Sequence, residues 1–524
     1  MDEDLVEYGF RRVIITVICI VCALLEIVDT SIVNVALPNM AGNLDASFSE
    51  ITWVIAAYAI ANVIVVPMSG WFSRKFGRRN YFAVSIAIFT VASLMCGQAT
   101  NLWELVAFRF IQGCGGGALL ATSQTILTES YPKAKRGLST AIFGMGVIIG
   151  PTLGPPLGGW ITDNFSWPYI FYVNLPLGIA ACILTLQFVR SPKFEGGMAL
   201  RNAPIDWLGI GLLALGVGAL QLVLEKGQEE DWFNKDYILI AGILSFLGIF
   251  FFVWREFSTP HPVVDLRVLK NRNLAIGTAL SFILGFGLYG TTLVIPQFAQ
   301  YILGFSATQA GLLFIPASLT TGLMMPVVGT LIGKGIKSSY LLTIGFSVFF
   351  IFCFWMYLTL TPQSGESDLF WPLIARGFGL GFLFIPVINL SLSTLKGKEI
   401  ADGAAFTGMM RQLGGSFGIA IITTYLIRRE QNIRNSVVQH LNINDPNVSG
   451  RLASTKALLM SKGYSSDIAS NMALRIMDLD VIKQTNVLAY MQVFIALGIF
   501  FLLCIPFTLM VKQAKEKVDT SMAH

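Results

Sequence analysis

Two carboxylate side chains stand near the middle of the first long apolar segment of this 524-residue chain. Glu26 and Asp29 occupy positions i and i+3, so an α-helix places them on one face. A carboxylate at the centre of a membrane costs about 2.5–3.5 kcal/mol on insertion scales. Reversible proton binding would explain such a placement, because burial disfavours the charged form of a carboxyl group. The alternative is a structural carboxylate paired with an arginine of another helix.

Three arginines also lie inside apolar segments, and the first of them is Arg109. On a helix, Arg109 shares a face with Gln112, two glycines and Ser123. A cation at this depth indicates a functional site by default, and a permanent salt bridge is the alternative. Arg376 and Arg411 occupy similar settings later in the chain, where a cavity-lining role and a structural role are equally open.

A further set of polar side chains lies inside or at the ends of apolar segments. We predict that these side chains contact a bound small molecule. They are Tyr58, Gln112, Tyr289, Gln297, Asn389, Arg411 and Gln412.

Glycines recur every fourth residue between positions 146 and 158 and would form a bare stripe along one helix. Such a stripe lets another helix backbone approach closely, and the neighbouring prolines bend the helix. The pattern predicts a conformational hinge at an interface and not a ligand site. The residues of this motif are Gly146, Gly150, Pro151, Gly154, Pro155, Gly158 and Gly159.

Apolar segments long enough to cross a bilayer recur almost from end to end and must position these residues. Hydrophobic residues make up 54% of the chain and charged residues 13%, whereas soluble domains are about a quarter charged. The first segment has no small-residue cleavage pattern, so we interpret it as a retained helix and not a signal peptide. We predict an all-α membrane protein with fourteen transmembrane helices. Their expected bounds are 13–37, 51–71, 81–98, 103–129, 138–161, 169–189, 207–224, 236–254, 273–296, 308–333, 340–359, 371–395, 403–427 and 487–511.

The basic residues are distributed unevenly between alternate connecting segments. On one side of the predicted membrane, the short loops contain only Lys226 and Lys235, and most other basic residues fall on the opposite side. Because cytoplasmic loops are enriched in lysine and arginine, we predict that both termini are cytoplasmic. A long polar loop at about 428–486, with amphipathic stretches, would then be external. It would either form a self-packed cap or contact another protein.

The second half of the chain repeats features of the first. Pro67-x-x-Gly70 recurs as Pro326-x-x-Gly329, and intramembrane Arg109 recurs as Arg376. Such repeats are typical of two-bundle transporters. We therefore expect three parts: an N-terminal six-helix bundle at 1–190, two inserted helices with flanking loops at 191–270, and a C-terminal six-helix bundle with the long loop at 271–524.

The helix 1 carboxylates have no counterpart in this repeat. Alignment of Pro38 with Pro296 puts Leu284 and Gly287 where Glu26 and Asp29 would be. A structural requirement shared by both halves would tend to appear in both, so the asymmetry favours a functional role for the carboxylates.

Several motifs together resemble the major facilitator superfamily, and within it the fourteen-helix drug:proton antiporters of the EmrB/QacA type. They are LEIVDTSIVNVALP at 25–38, GWFSRKFGRR at 70–79, RFIQGCGGG at 109–117, GVIIGPTLGPPLGGW at 146–160 and WPYIFYVNLPLG at 167–178. The resemblance covers essentially the whole chain and implies the major facilitator fold. It also implies that Asp29, Glu26 and Arg109 couple proton movement to transport, and that residues 146–160 form the antiporter motif.

The resemblance further implies protons and amphipathic small molecules as ligands. EmrB-like members also suggest a periplasmic adaptor and an outer-membrane channel of the EmrA/TolC type as partners. One departure concerns the segment after helix 2, where Arg74 stands at a position that the superfamily usually fills with aspartate. The usual lock between the bundles, which uses that aspartate, is therefore in doubt.

These observations predict a proton-coupled antiporter that exports hydrophobic or amphipathic molecules across the cytoplasmic (inner) membrane. The alternative is an exporter of one endogenous lipid, siderophore or metabolite. The sequence contains no G-x-x-x-x-G-K-[ST] for ATP and no H-E-x-x-H or G-x-S-x-G of common hydrolases. A membrane-embedded enzyme or a channel is thus a more remote interpretation, and we expect neither a metal, nor a cofactor, nor nucleic acid binding. The seven cysteines, including the Cys19–Cys22 pair, lie in apolar segments and favour packing roles.

The distribution of basic residues makes the topology testable. Reporter fusions at Lys135, Arg201 and Lys515 should give a cytoplasmic signal, and fusions at Asp231 and Asn447 an external one. Alkaline phosphatase and green fluorescent protein activities would measure this. An external signal at Lys515 would contradict the even number of helices.

Overall fold

The computed structural model describes residues 6–132, 136–192, 205–260, 262–395, 398–442 and 444–509. Within these ranges the chain is α-helical with short 3₁₀ turns, because helices satisfy every backbone polar group inside an apolar phase. The long helices of the first part are α1 (Gly9–Asn43), α2 (Trp53–Phe76), α3 (Arg78–Gln98), α4 (Leu102–Ser130), α5 (Arg136–Asn164), α6 (Asn174–Phe188), α7 (Trp207–Lys226) and α8 (Asp236–Ser258). Those of the second part are α9 (Arg272–Tyr301), α10 (Phe314–Gly333), α11 (Ser338–Thr359), α12 (Glu366–Leu392), α13 (Lys398–His440) and α14 (Ser466–Leu503). The side chain of Pro151 and the loop residues Lys135 and Arg201 lie outside the described part, as does the C-terminal segment with Lys515.

By length and composition, twelve helical segments in the described residues could cross a membrane. The set does not include α5 and α13, which have 29 and 43 residues and pack among the others. The all-α, multi-pass membrane architecture is therefore confirmed. The count of fourteen crossings is confirmed only in part.

Matching polar caps precede the second long helix of each half. Before α2, the Ser47 hydroxyl accepts a hydrogen bond from the Glu50 backbone, and the Glu50 carboxylate accepts one from the Ser47 backbone. Ser306 and Gln309 make the same reciprocal bonds in the short helix before α10. Such a capping box satisfies backbone N–H groups that a helix start leaves unpaired. The internal repeat thus extends to the way in which the helices begin.

The segment predicted as a long loop at 428–486 is largely helical. Helix α13 continues to His440, a short helix covers Pro446–Ser461, and α14 begins at Ser466. Ion pairs Arg434–Asp478 (2.8 Å) and Arg451–Asp480 (2.6 Å) tie these three pieces together. Hydropathy marks where the apolar stretch ends, but a helix with a polar surface continues beyond that point.

The two halves meet along a small number of helices. Helix α5 packs against α10 and α12, and α13 packs against α2 and α4. The helices of the predicted insertion pack against each other, and α7 also contacts α2. Two sets of helix contacts, those of α5 and those of α13, therefore connect the halves; the division into three parts at 190 and 270 stays a prediction.

One buried ion pair joins the halves at the end of α2. Arg74 in the last turn of α2 contacts Asp402 near the start of α13, and each side chain is 12% exposed. The helices approach closely here, because a Cβ on Gly70 would lie 2.7 Å from the Asp402 carboxylate and 3.3 Å from the Ala401 backbone. The arginine that departs from the superfamily pattern therefore has an acidic partner across the interface.

We expect charge reversal to expose the contribution of this pair. Arg74→Asp and Asp402→Arg should each lower the Tm in nanodiscs, because each leaves two like charges in a poorly hydrated contact. The double variant restores opposite charges and should recover most of the lost Tm. The same exchange at Arg434 and Asp478, which are 49% and 51% exposed, is the control and should change little. A double variant that is no more stable than either single one would contradict the pairing.

Candidate functional site: a buried carboxylate–arginine cluster

Asp29 lies at the centre of a polar cluster that four helices build inside the first half. Its side chain is fully buried, and Arg109 Nη1 on α4 donates to its Oδ2 at 2.5 Å. Gln112 Nε2 on α4 and Asn174 Nδ2 at the start of α6 donate to its Oδ1, both at 2.9 Å. Hydrogen bonds in which one partner is charged are stronger than those between neutral groups. The structure therefore brings together two predicted proton-coupling residues, Asp29 and Arg109.

The Arg109 guanidinium is fixed on several sides. It donates to the backbone oxygen of Val54 on α2 (3.3 Å) and to Gln112 Oε1 (2.8 Å). Its central carbon lies 4.2 Å from the Tyr58 ring centroid and 5.7 Å from that of Phe171. Aromatic faces stabilise a cation that is shielded from water. Any loss of charge on Asp29 would leave this buried cation without its counterion.

Glu26 is on the same helix but outside this cluster. It is 8% exposed, and its Oε1 accepts a hydrogen bond from Asn62 Nδ2 on α2 at 3.1 Å. It also interacts electrostatically with Arg411 across the interface between the halves, although the two make no ion pair. The two carboxylates therefore have separate surroundings: one is paired within its own half, and the other faces the opposite half.

The residues predicted to contact a small molecule divide into three groups. Gln112 and Tyr58 contact Asp29 and Arg109, so the structure places them in the carboxylate–arginine cluster. Tyr289 and Arg411 lie near Glu26 between the halves. Gln297, Asn389 and Gln412 are half-buried, and no described side-chain contact links them to either carboxylate.

Sequence reasoning missed two asparagines. Asn174 bonds both Asp29 and, at 3.1 Å, Ser93 on α3, while Asn62 holds Glu26. Asn174 stands in the segment that resembles the family motif entering helix 6, and its buried amide among apolar residues was the available signal. Asn62 is one polar residue within the apolar α2 and had no such motif to mark it.

The glycine stripe on α5 packs against the turn of α1 that carries the carboxylates. A Cβ on Gly150 would lie 2.6 Å from Ile27 Cγ2, and one on Gly154 would lie 1.9 Å from Ser31 Oγ. Gly146 and Gly158 likewise face Ile20 and Ile32 of α1. The stripe therefore lies within the first half, where it fixes the distance between α5 and α1.

Other residues of the same motif reach the second half. A Cβ on Gly159 would lie 3.3 Å from Thr308 Oγ1, and Pro155 and Pro156 contact the position of Gly311. Helix α5 is thus in contact with α1 of the first half and with the short helix that precedes α10 in the second half. Its role as a conformational hinge remains a prediction.

Comparison with known proteins assigns the family. The sequence profile of the Major Facilitator Superfamily matches residues 19–419, more than half of the chain. This chain belongs to the major facilitator superfamily. It is a multi-pass membrane protein of a transporter family.

Relatives of this superfamily member agree over nearly its whole length. It is 34% identical to the multidrug export protein EmrB of Escherichia coli K12 over 459 residues, 87% of this chain and 88% of that protein. It is also 34% identical to the fatty acid resistance protein FarB of Neisseria gonorrhoeae over 489 residues, 93% and 94% of the two chains. The solved structure of the proton:xylose symporter XylE shares the fold, with a TM-score of 0.59 at 15% identity over 96% of this chain and 99% of that one.

A larger side chain in the glycine stripe should disturb the carboxylate helix. Gly150→Leu would force Ile27 away and shift α1 relative to α4, so we expect an inserted protein with little transport. Gly211→Leu on α7 is the matched control, because no atom lies within 4 Å of the position of its Cβ. Dye efflux from cells with equal membrane levels of each variant would measure this. Full efflux by Gly150→Leu would show that the close contact is not required.

Proposed function

We propose that this transporter is a proton-coupled antiporter that exports hydrophobic or amphipathic molecules across the cytoplasmic membrane, with both termini in the cytoplasm. The observation that carries the proposal is the buried Asp29, whose only described counterion is Arg109. The names of its relatives, which include multidrug export and fatty acid resistance proteins, support export of amphipathic compounds. An exporter dedicated to one endogenous lipid, siderophore or metabolite is the second candidate.

Proton binding at Asp29 would act through the loss of one ion pair. The ionised carboxylate accepts bonds from Arg109, Gln112 and Asn174. A proton on Asp29 removes its negative charge and leaves the Arg109 cation buried with only neutral partners, which is unfavourable in a medium of low dielectric. The cluster must therefore rearrange or admit water. That requirement links the proton to a movement of α1 against α4.

An alternating-access cycle also needs contacts between the halves that form in one state and separate in another. The Arg74–Asp402 pair holds α2 against α13 at one end of the helices. The positive charge at position 74 takes the place of the superfamily aspartate, and the carboxylate comes from the opposite half. We infer that this pair is closed when the cytoplasmic side is closed and separates when the substrate enters.

The largely helical segment at 428–486, here called the helical extension, is the surface that we assign to a partner protein. Its ion pairs and the small apolar cluster of Leu459, Ala469 and Ala473 stabilise it without another protein. A periplasmic adaptor and an outer-membrane channel remain part of the proposal through the family resemblance. Export into the periplasm alone is the alternative.

The decisive variant is Asp29→Asn in proteoliposomes with an imposed pH gradient. The amide keeps the size of the side chain but cannot exchange protons, so gradient-driven efflux of an amphipathic dye should fall to the rate of empty liposomes. Equilibrium binding of the dye should persist, because the neutral amide mimics the protonated state. Arg109→Ala should reduce coupling more than binding, and Glu26→Gln should have a milder effect.

A matched control is Asp478→Asn, which removes a carboxylate from the helical extension and should leave coupling intact. If purified Asp29→Asn exchanges protons for dye at near wild-type rates while Glu26→Gln does not, the proton site is Glu26. If neither substitution affects exchange, the carboxylate–arginine cluster is structural and the proposed mechanism is wrong.

A further inference from the structure

Arg411 differs from the other buried arginines in having no polar partner. It lies in the middle of α13 with 3% of its surface exposed, and its guanidinium carbon is 5.4 Å from the centroid of the Phe384 ring. Among the described residues it makes neither an ion pair nor a hydrogen bond. Burial of an unpaired guanidinium is costly, so a site of this kind calls for a ligand.

Arg376 on α12, in the same half, is a buried arginine whose N–H groups are hydrogen-bonded. Its Nε donates to Thr291 Oγ1 at 2.9 Å, and its Nη2 donates to Thr292 Oγ1 at 2.8 Å. It also stacks at 5.1 Å on Phe314. Neutral acceptors and an aromatic face account for its burial without any ligand. Arg411 has the aromatic face but lacks the acceptors.

The position of Arg411 is between the two halves. One turn earlier on α13, a Cβ on Gly408 would lie 3.6 Å from Val66 of α2. Phe384 lies against the first half as well, since a Cβ on Gly144 of α5 would come within 3.1 Å of its ring. Arg411 therefore faces the interface in which a transporter with two bundles binds its substrate.

Other polar atoms at this interface also lack partners. The Tyr58 hydroxyl and Asn62 Oδ1 are buried and have no hydrogen-bond partner among the described residues. Asn62 contacts Glu26, which interacts electrostatically with Arg411 and Tyr289 from the other side. Unsatisfied buried polar groups of native proteins call for an unseen water or ligand. Here Asn62 lies beside Glu26, which interacts electrostatically with Arg411, whereas Tyr58 lies against Arg109.

We propose that Arg411 binds the negatively charged head group of an amphipathic substrate, a carboxylate attached to an apolar chain, between the two halves of the protein. The proposal rests on the export function proposed above and specifies its substrate class. Phe384 lies over the guanidinium, and no hydrogen bond among the described residues uses its N–H groups, which match a carboxylate with two parallel hydrogen bonds. The Phe384 ring on α12 supplies an apolar surface beside the guanidinium that suits the chain of the ligand.

The distribution of charge favours an anion over a cation. Asp29 is already matched by Arg109, whereas Arg376 has no carboxylate partner among the described residues. Glu26 attracts Arg411 from a distance without contacting it. A bound carboxylate would give Arg411 a close counterion, and a cationic head group would add a charge of the same sign.

Three probes with one chain length and different head groups test the proposal: dodecanoate, dodecanol and dodecyltrimethylammonium. Displacement of tritiated dodecanoate from the full-length protein in uncharged nanodiscs would be measured at a pH where dodecanoate is ionised. We expect the wild type to bind dodecanoate about tenfold tighter than the other two, the value of one charge-assisted hydrogen bond. Arg411→Gln should abolish this preference, and Arg411→Lys should retain part of it.

Two further variants show whether a lost preference for dodecanoate reflects the loss of the binding site or the loss of the folded state. Arg376→Gln removes a buried cation of the same half and should keep the preference for dodecanoate. Glu26→Gln removes the negative charge opposite Arg411 and should strengthen dodecanoate binding. Even if Arg411→Gln failed to fold, the three probes on the wild type would decide: equal affinities, or a preference for the cation, would overturn the proposal, as would a preference that persists in a folded Arg411→Gln.

These measurements distinguish a failure of the proposed head-group site from a failure of the proposed export function. Proton-driven dye efflux that depends on Asp29, without any preference for dodecanoate, would overturn the head-group site alone. A preference that depends on Arg411, in a protein that exchanges no protons, would overturn the proposed antiport alone.

Discussion

A buried ion pair has to be hydrogen-bonded on every side, and the pair between Asp29 and Arg109 imposes this requirement on the first half of the protein. Its partners come from α1, α2, α4 and α6, so these helices must meet at one point inside the membrane. Large side chains would hold them apart. Glycines therefore occupy contact positions, with Gly113 and Gly117 of α4 against the α2 backbone at Tyr58 and Asn62. The packing of the half follows from the solvation of two charges.

The second half has the same helices without the same chemistry. At the position equivalent to Asp29 stands Gly287, and a Cβ there would lie 2.2 Å from the ring of Phe501, so an aromatic side chain fills the space. The equivalent arginine, Arg376, is satisfied by threonines. One half of the repeat thus contains a buried ion pair, and the other contains a buried arginine with neutral partners. In the antiport that we propose, a single proton site in this repeated scaffold would let the energy of one ion pair act on the interface between the halves.

Much of this arrangement could be predicted from residue type and spacing, because a charge in an apolar segment is conspicuous. Glu26, Asp29 and Arg109 were identifiable for that reason, and the helices were identifiable by their apolar length. The hydrogen-bond partners were not, since Asn174 lies 145 positions from Asp29 and asparagine has no distinctive periodicity. The partner of Arg74 was equally out of reach. An ion pair across an interface depends on how the halves meet, which local patterns do not encode.

Helix α13 links these features because it faces the first half at two depths and contacts the inserted helix α7 at a third. Asp402 meets Arg74 near its start, Arg411 faces Glu26 in its middle, and the Ser416 hydroxyl accepts a hydrogen bond from Gln221 of α7 at 2.8 Å. With a rise of 1.5 Å per residue, the first two contacts are about 14 Å apart along the axis. A rigid helix cannot tilt away from α2 at one end without changing its distance to Glu26 in the middle. Separation of Arg74 from Asp402 would therefore alter the surroundings of Arg411, and occupation of Arg411 would alter the energy of that separation. The coupling needs no chain of intermediates, because one helix carries both charges.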